Sequence, residues 1–482
     1  MKSICLFLTI FVALLLCACI SAPREQAPAF KTQPRDMRFS EVSFSIPEPA
    51  RLVLKNGATV FLLEDSRLPA LNVSIRFKGG SIYDPPDKRG LAEMCASLMK
   101  MGGTTTITAE QLDERMDFLS ASIRVSADYE SLSASLSVLS KDTDEGLKLL
   151  ADVLLNPAFP EEKIALKKEW LAESLRREND SPNTIAYREF RKLIYPSHPY
   201  GERVGANLDS LANIAREDLL AFHRNYFRPN NAIIGISGKF MKNELIAKLN
   251  SAFNGWNRNE VFFPQVPELQ MQYQHSLNIV HRNLQQSTIL VGHLGVERLN
   301  KDYFAINVLN NILGGGSFTS RLTSRVRSDE GLAYSVSSGF TFMRNPGFFR
   351  VYTQTKCETS WKAIGIILEE MERIRTEPVT DAELQDAKDA MINSYVFQFQ
   401  TPSQIINQYM AVEFDGLPPD YLKTYTKNIA KLTQNDILNA ANVYLKPDKC
   451  VILIAGNEDK LDIPTEILAK ANKIQLEERD DK

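Results

Sequence analysis

The residues that first suggest chemistry lie on one short helix, which the apolar spacing of residues 90–99 predicts. Its apolar residues form one stripe: Leu91, Met94, Cys95 and Leu98. A second face carries Glu93, Ala96, Ser97 and Lys100 at the same spacing. On such a face, two histidines at i and i+4 would bind zinc, and a glutamate directly before the second histidine would activate a water molecule. Here the pattern reads Glu-x-x-Ala-Ser, so the spacing is present without the zinc ligands.

The elements that must position this helix are repeated along the chain. Residues 214–238 (IAREDLLAFHRNYFRPNNAIIGISG) align without a gap to residues 432–456 (LTQNDILNAANVYLKPDKCVILIAG), at a constant offset of 218. Identical pairs include Asp218 and Asp436, Leu220 and Leu438, Tyr226 and Tyr444, Pro229 and Pro447, and Gly238 and Gly456. Each copy predicts an amphipathic helix that ends before a proline, then a short apolar strand closed by a glycine.

Segments upstream of each copy match as well. A strand predicted at 72–77 precedes the helix that begins near Gly90. In the second copy, a strand at 287–292 precedes a helix that begins near Asp302 and leads to the glycine run 314–316. That run lacks the Lys-Ser/Thr pattern of a phosphate-binding loop, so no nucleotide-binding unit is predicted.

The repeat predicts an α+β fold of two homologous α/β halves. Each half is expected to be a mixed, mostly antiparallel sheet packed against helices, because long helices alternate with strands and hairpin-like segments. The predicted segments are a signal peptide at 1–19, a tether at 20–50, an N-terminal domain at 51–255, a linker at 256–275, a C-terminal domain at 276–470 and a tail at 471–482.

Length and charge limit the kinds of protein this chain can be. Its 482 residues are more than a single hydrophobic core usually contains, so two or more domains are expected. The net charge is −3, so no basic excess exists to neutralise phosphates, and no nucleic-acid partner is predicted.

The N-terminus has the pattern of a secretory signal. Lys2 precedes an apolar run from Ile4 to Ile20, and the run ends in Leu-Cys-Ala-Cys at 16–19. This resembles a bacterial lipobox, with Cys19 as the acylated residue. Residue 20 is isoleucine, and not the aspartate that often retains lipoproteins at the inner membrane. The sequence therefore predicts a periplasmic, outer-membrane lipoprotein of the bacterial cell envelope. The alternatives are an ordinary cleaved signal or an uncleaved anchor.

Six stretches of the chain carry a family resemblance: LVLKNGATVFLLED (52–65), GSIYDPPDKRGLAE (80–93), LLNPAFPEE (154–162), HPYG (198–201), YFRPNNAIIGISG (226–238) and GGGSFTSRLTSRVRSDEGLAYSV (314–336). In their order and spacing they resemble the pitrilysin/insulinase-type zinc peptidases, in the subfamily that includes mitochondrial processing peptidase. The resemblance implies that the two halves form half of a clam-shaped chamber.

The resemblance also indicates where a zinc site would lie. In the family, the first histidine falls on Glu93, the glutamate base on Ala96, the second histidine on Ser97 and a third ligand, a glutamate, on Ser174. All four positions have lost the family residue, so the chain is predicted to bind no metal. Replacement from elsewhere is not favoured, because Glu173 points away and no two of the five histidines lie at i and i+4.

The second half keeps residues that the family uses. The resemblance implies that Arg327 and Tyr334 hold the substrate backbone near the scissile carbonyl, since both can donate hydrogen bonds to an oxygen that gains negative charge. Arg327 is expected to end a helix and Tyr334 to begin a strand. The alternatives are a salt bridge of Arg327 with Asp329 or Glu330, and simple core packing of Tyr334.

Three hypotheses follow. The first is a non-catalytic subunit that supplies Arg327 and Tyr334 to the zinc site of a homologous partner that bears His-x-x-Glu-His, for peptide hydrolysis, with zinc only in the partner. The second is a non-enzymatic binding or assembly module of the same fold. The third is an autonomous peptidase, which predicts zinc in the isolated chain. The peptide substrate, the partner's identity, the host and the resting state are not predicted.

Overall fold

The structure is a computed structural model that describes residues 44–269 and 275–476. The predicted signal peptide, Cys19 and most of the tether lie outside the described residues, as do 270–274 of the predicted linker. From Ser45 onward the chain forms one compact unit. In the described ranges, no helix combines the length and the apolar composition needed to cross a bilayer.

The first half builds a six-stranded sheet. Its strands are β1 (Ala50–Val53), β2 (Thr59–Glu64), β3 (Ala70–Lys78), β4 (Ser122–Ala127), β5 (Ser131–Leu139) and β6 (Ala232–Gly238). Their order is β1-β2-β6-β3-β5-β4, and all neighbours are antiparallel except β2 and β6. Along β3 and β5, buried apolar residues alternate with partly exposed polar ones, because the sheet covers the core with one face.

Helices cover the apolar face of this sheet. In chain order they are α1 (Leu91–Met101), α2 (Ala109–Phe118), α3 (Thr143–Leu155), α4 (Glu161–Arg176), α5 (Pro182–Ile194), α6 (Leu208–Asn213), α7 (Arg216–Tyr226) and α8 (Lys242–Ala252). Apolar residues of α1, α2, α3 and α7 share one core with the inward residues of the strands. The exception is α5, described below.

The second half repeats this arrangement. Its strands are β7 (Ser276–His281), β8 (Gln286–Leu294), β9 (Val336–Thr341), β10 (Phe348–Lys356), β11 (Val451–Gly456) and β12 (Asn472–Lys473). Their order is β12-β7-β11-β8-β10-β9. The helices are α9 (Tyr303–Asn310), α10 (Ser360–Thr376), α11 (Asp381–Tyr395), α12 (Pro402–Asp415), α13 (Tyr421–Ala430), α14 (Gln434–Tyr444) and α15 (Thr465–Leu468).

The predicted repeat and fold class are confirmed. The pair α7 and β6 recurs as α14 and β11, and the helices begin and end at the predicted offset. The repeated strand is third in the order of each sheet. In the first half β6 lies next to the long strand β3, and in the second half β11 lies next to the long strand β8. The short strand β12 lies within the segment predicted as a tail and pairs with β7.

The two halves exchange one helix each. Helix α5 of the first half packs on β8 and β11 of the second sheet, and α12 of the second half packs on β2, β3 and β6 of the first sheet. Glycines permit this close approach. A Cβ atom on Gly235 would lie 2.1 Å from Ile406 Cγ2, and one on Gly292 would lie 2.9 Å from Phe190 Cζ. The exchange ties the two halves into one unit.

His223 shows how the first core responds to acid. It is buried in α7, and its Nε2 lies 2.8 Å from the carbonyl oxygen of Leu154. Burial lowers its pKa to about 4. Because the unfolded chain binds this proton near pH 6.5, the stability due to neutral His223 is complete above pH 6.5 and is lost as the pH falls toward 4.

We therefore expect the wild-type protein to lose about 2 kcal/mol more stability than His223→Gln between pH 8 and pH 5. Urea unfolding at both pH values measures the difference. The matched control is His281→Gln, because His281 is exposed. An equal pH dependence of wild type and His223→Gln would contradict the prediction.

Candidate functional site

Helix α1 carries the predicted zinc positions, and its start is fixed by a buried carboxylate. Asp84 accepts hydrogen bonds from the amides of Gly90 (2.9 Å) and Ala92 (3.0 Å). Gly90 has a φ of 91°, and a Cβ there would lie 2.3 Å from the Ala206 nitrogen. These contacts fix where α1 begins.

None of the four predicted zinc positions offers a free ligand. Glu93 Oε1 lies 3.3 Å from the ammonium of Lys167, on α4. Ala96 is 1% exposed, and Ser97 donates its hydroxyl to the Met94 carbonyl at 3.2 Å. Ser174 lies exposed on α4, seven residues after Lys167 and therefore on the same helix face. A lysine ammonium thus contacts the one carboxylate that remains.

These residues do not fit a zinc ion. Alanine and serine are not zinc ligands, and the only acidic side chain of the set is already paired with a cation. Glu173 is paired with Arg176 and Arg177. Across residues 44–269 and 275–476, no group of three or more His, Cys, Asp or Glu side chains is arranged to hold a metal.

The Lys167 contact leads to a prediction about restoring the site. The graft Glu93→His, Ala96→Glu and Ser97→His is expected to bind zinc roughly 100-fold more weakly than the same graft with Ser174→Glu and Lys167→Ala. The reason is that the smaller graft lacks a third ligand and keeps a cation beside the metal position. Competition with a chromogenic chelator measures the affinities. Circular dichroism controls for folding, because Ala96 is buried. Equal affinities of the two grafts would refute the role of Lys167 and Ser174.

The second predicted site begins with a helical turn. Residues Thr323–Asp329 form a π-helix that ends just after Arg327, with Glu330 as its cap and Gly331 at a φ of 61°. The predicted helix end and turn are therefore confirmed to within two residues. Tyr334 was expected to begin a strand, and this is wrong in detail: β9 begins at Val336, and Tyr334 lies in the preceding loop.

Arg327 contacts two exposed aromatic rings. Its guanidinium carbon is 4.9 Å from the ring centroid of Tyr334 and 4.6 Å from that of Phe318. Tyr334 is 84% exposed and Phe318 is 69% exposed. The salt-bridge alternative is not seen, because Glu330 pairs with Lys362 at 2.6 Å and Arg327 makes no ion pair with any described residue. Core packing of Tyr334 is likewise not seen.

This arrangement leaves hydrogen-bond donors available. A cation–π contact does not use up the N–H groups of a guanidinium as hydrogen-bond donors, and no described residue accepts a hydrogen bond from those of Arg327. The Tyr334 hydroxyl has no hydrogen-bond partner among the described residues. Phe318 was not predicted from the sequence, although an aromatic residue two positions after the glycine run 314–316 was a usable signal.

The two predicted sites are not joined by polar contacts. No hydrogen bond or ion pair in the described part of the chain links Arg327 or Tyr334 to Glu93, Ser97 or Ser174. The structure therefore brings together the two residues expected to bind substrate, and it brings together Glu93 and Lys167, which were not predicted as a pair.

Two family models match consecutive segments of the chain. Residues 59–204 match the family described as Insulinase (Peptidase family M16), and residues 213–391 match Peptidase M16 inactive domain. A crystal structure of a peptidase M16 inactive domain from Pseudomonas fluorescens is similar, with a TM-score of 0.79 and 26% identity, over 85% of this chain and 98% of that one.

Two curated relatives span almost the same length. A Rickettsia felis protein named Uncharacterized zinc protease is 25% identical over 84% of this chain and 97% of its own. A Helicobacter pylori protein named Non-peptidase homolog YmxG is 24% identical over 82% of this chain and 91% of its own. The chain is therefore similar both to a relative named as a zinc protease and to one named as a non-peptidase.

Proposed function

The chain is a non-catalytic member of peptidase family M16, and from that premise we propose that it is the substrate-binding subunit of a two-chain zinc peptidase. The partner is a homologous chain that bears His-x-x-Glu-His. This chain forms half of a clam-shaped chamber and supplies Arg327 and Tyr334 to the partner's zinc site for peptide hydrolysis.

One observation carries the proposal. The partly buried Arg327 and the exposed Tyr334 are held together, and neither side chain makes an ion pair or hydrogen bond to a described residue. Glu93, the one acidic residue at the chain's own zinc positions, is paired with Lys167. A partly buried arginine in contact with two rings loses little side-chain entropy when it binds a ligand. That is the arrangement expected of a residue that acts on a group brought by another molecule.

The residues of this chain would act on the substrate backbone. The Arg327 guanidinium and the Tyr334 hydroxyl donate hydrogen bonds to the scissile carbonyl oxygen and hold the peptide in place. Their donation strengthens as that oxygen gains negative charge. Zinc bound in the partner supplies a Lewis acid and an activated water.

The proposal includes a location. Acylation of Cys19 would anchor the chain to the outer membrane of a bacterial envelope, with the chamber in the periplasm. Because one acyl chain alone anchors weakly, a lipoprotein carries several, and the segment 20–50 would serve as the tether.

Native mass spectrometry of the tagged chain, purified gently from its host, tests the proposal. The expected result is a heterodimer with a chain bearing His-x-x-Glu-His and one zinc in total. A metal-free chain that is alone, or that belongs to an assembly without peptidase activity, would overturn it and favour a binding or assembly module. The Helicobacter pylori relative is itself named a non-peptidase homolog.

A further inference from the structure

A basic cavity lies on the sheet face opposite the helical core of the first half. It has a volume of about 320 Å³ and is lined by two arginines and four serines, together with residues of α12. These six residues are Ser74, Arg76, Arg124, Ser126, Ser133 and Ser135. No carboxylate of the described chain lines this cavity. The proposed function uses none of these residues.

Strand register places the six side chains in two rows on one face. Arg76 of β3 is paired with Ser133 of β5, which is paired with Ser126 of β4. In the next row, Ser74 is paired with Ser135, which is paired with Arg124. The two arginines therefore lie diagonally across the patch with hydroxyls between them, at a strand spacing of about 4.8 Å. Their positions allow both to reach one ligand.

Neither arginine has an acidic partner. Within residues 44–269 and 275–476, no ion pair involves Arg76 or Arg124. The guanidinium carbon of Arg76 lies 5.1 Å from the ring centroid of Phe414. This contact with the ring leaves the N–H groups of Arg76 available as hydrogen-bond donors. Arg124 is exposed. Ser126 and Ser133 hydrogen-bond to each other at 2.9 Å. The two arginines and the remaining serine hydroxyls, with no acid lining the cavity, offer hydrogen-bond donors to an oxyanion.

A second, larger cavity shares Arg76 and Asn407 with the first as lining residues. The second cavity has a volume of about 580 Å³ and lies between the two halves. Its acidic residues are already engaged: Asp415 pairs with Arg298 at 2.9 Å, Glu130 accepts the Arg344 amide at 3.0 Å, and Asp128 accepts the Tyr129 amide at 2.7 Å. None of the three forms an ion pair with Arg76. With volumes of about 320 and 580 Å³, the two cavities have room for a peptide segment and not only for a small ion.

We infer that Arg76 and Arg124, with the serines between them, bind the carboxylate of an acidic residue in an extended peptide. The inference rests on the proposed function only in taking the ligand to be a peptide. It names the substrate class as acidic peptides and places their acidic side chains on the open face of the first sheet.

The test measures peptide binding to the purified full-length protein without any partner. Two rhodamine-labelled nonapeptides of alanine and serine, one with three glutamates and one with three glutamines in their place, are compared by fluorescence anisotropy. We expect the glutamate peptide to bind at least about tenfold more tightly, and this preference to fall as salt is added. In Arg124→Gln the preference is expected to disappear.

Arg115→Gln is the matched control. It also removes one positive charge from an exposed arginine of the first half, but Arg115 lies on α2, in the helical layer on the other face of the sheet. It is expected to keep the glutamate preference. Equal affinity for the two peptides, or a preference that survives Arg124→Gln, would overturn the inference.

Binding of inorganic phosphate distinguishes a site for small anions from a site for the carboxylates of a peptide. Phosphate that binds tightly and is lost in Arg124→Gln, without a preference for the glutamate peptide, would identify a site for small anions and overturn the peptide assignment. None of these results depends on the partner subunit. A failure here therefore leaves the heterodimer open to its own test, and a failure of the heterodimer leaves this site measurable.

Discussion

Replacing Arg327 by alanine is expected to lower kcat/KM of the two-chain peptidase by roughly 10²- to 10³-fold, which is the usual cost of removing one preorganised donor to a developing oxyanion. The loss is expected mainly in kcat, because the donation strengthens in the transition state. The measurement is hydrolysis of a quenched fluorescent peptide by the reconstituted pair of chains.

The structure provides clean controls for this experiment. Arg327 has no ion pair among the described residues, so its removal leaves no buried carboxylate unpaired, and the thermal unfolding midpoint is expected to stay unchanged. Ser328→Ala changes an exposed neighbour and is expected to retain full activity. Arg327→Lys keeps the charge without the planar donors and is expected to be intermediate. Full activity in Arg327→Ala would show that the pair with Tyr334 is only scaffold.

Replacing Phe190 by alanine is expected to destabilise the protein by about 3–5 kcal/mol, the range for a large aromatic side chain lost from a core. Phe190 is 0% exposed on α5, the helix that the first half places on the second sheet. Its ring packs 6.1 Å from the ring of Phe348, in a core that both halves share. The cavity would therefore open where the halves interlock.

Urea unfolding followed by circular dichroism measures this effect. Phe118→Ala is the matched control, because it makes the same change at a side chain that is 86% exposed, and it is expected to cost well under 1 kcal/mol. Because the exchange joins the halves, the wild type is expected to unfold in one transition. Similar costs for Phe190→Ala and Phe118→Ala would contradict the packing described here.

Much of the fold was determined by local periodicity. The helix–proline–strand unit at 214–238 and its copy at 432–456 could be read directly, since residues three or four apart lie on one helix face and alternate residues on one strand face. The same rule identified the buried stripe of α1 and located the two strands at 72–77 and 287–292. The absence of zinc ligands at Glu93, Ala96, Ser97 and Ser174 is likewise a statement about residue types.

Only the tertiary structure decided which faces meet. The contact of Lys167 with Glu93 joins residues 74 positions apart, and nothing in either helix's periodicity indicates it. The exchange of α5 and α12 depends on long-range packing against Gly292 and Gly235. The ring of Phe318 over Arg327, and the diagonal of Arg76 and Arg124 across three strands, arise from strand register and loop geometry. Periodicity in the sequence indicates which face of a helix or strand is buried. Which other helix or strand packs against that face depends on the packing energy of the whole chain.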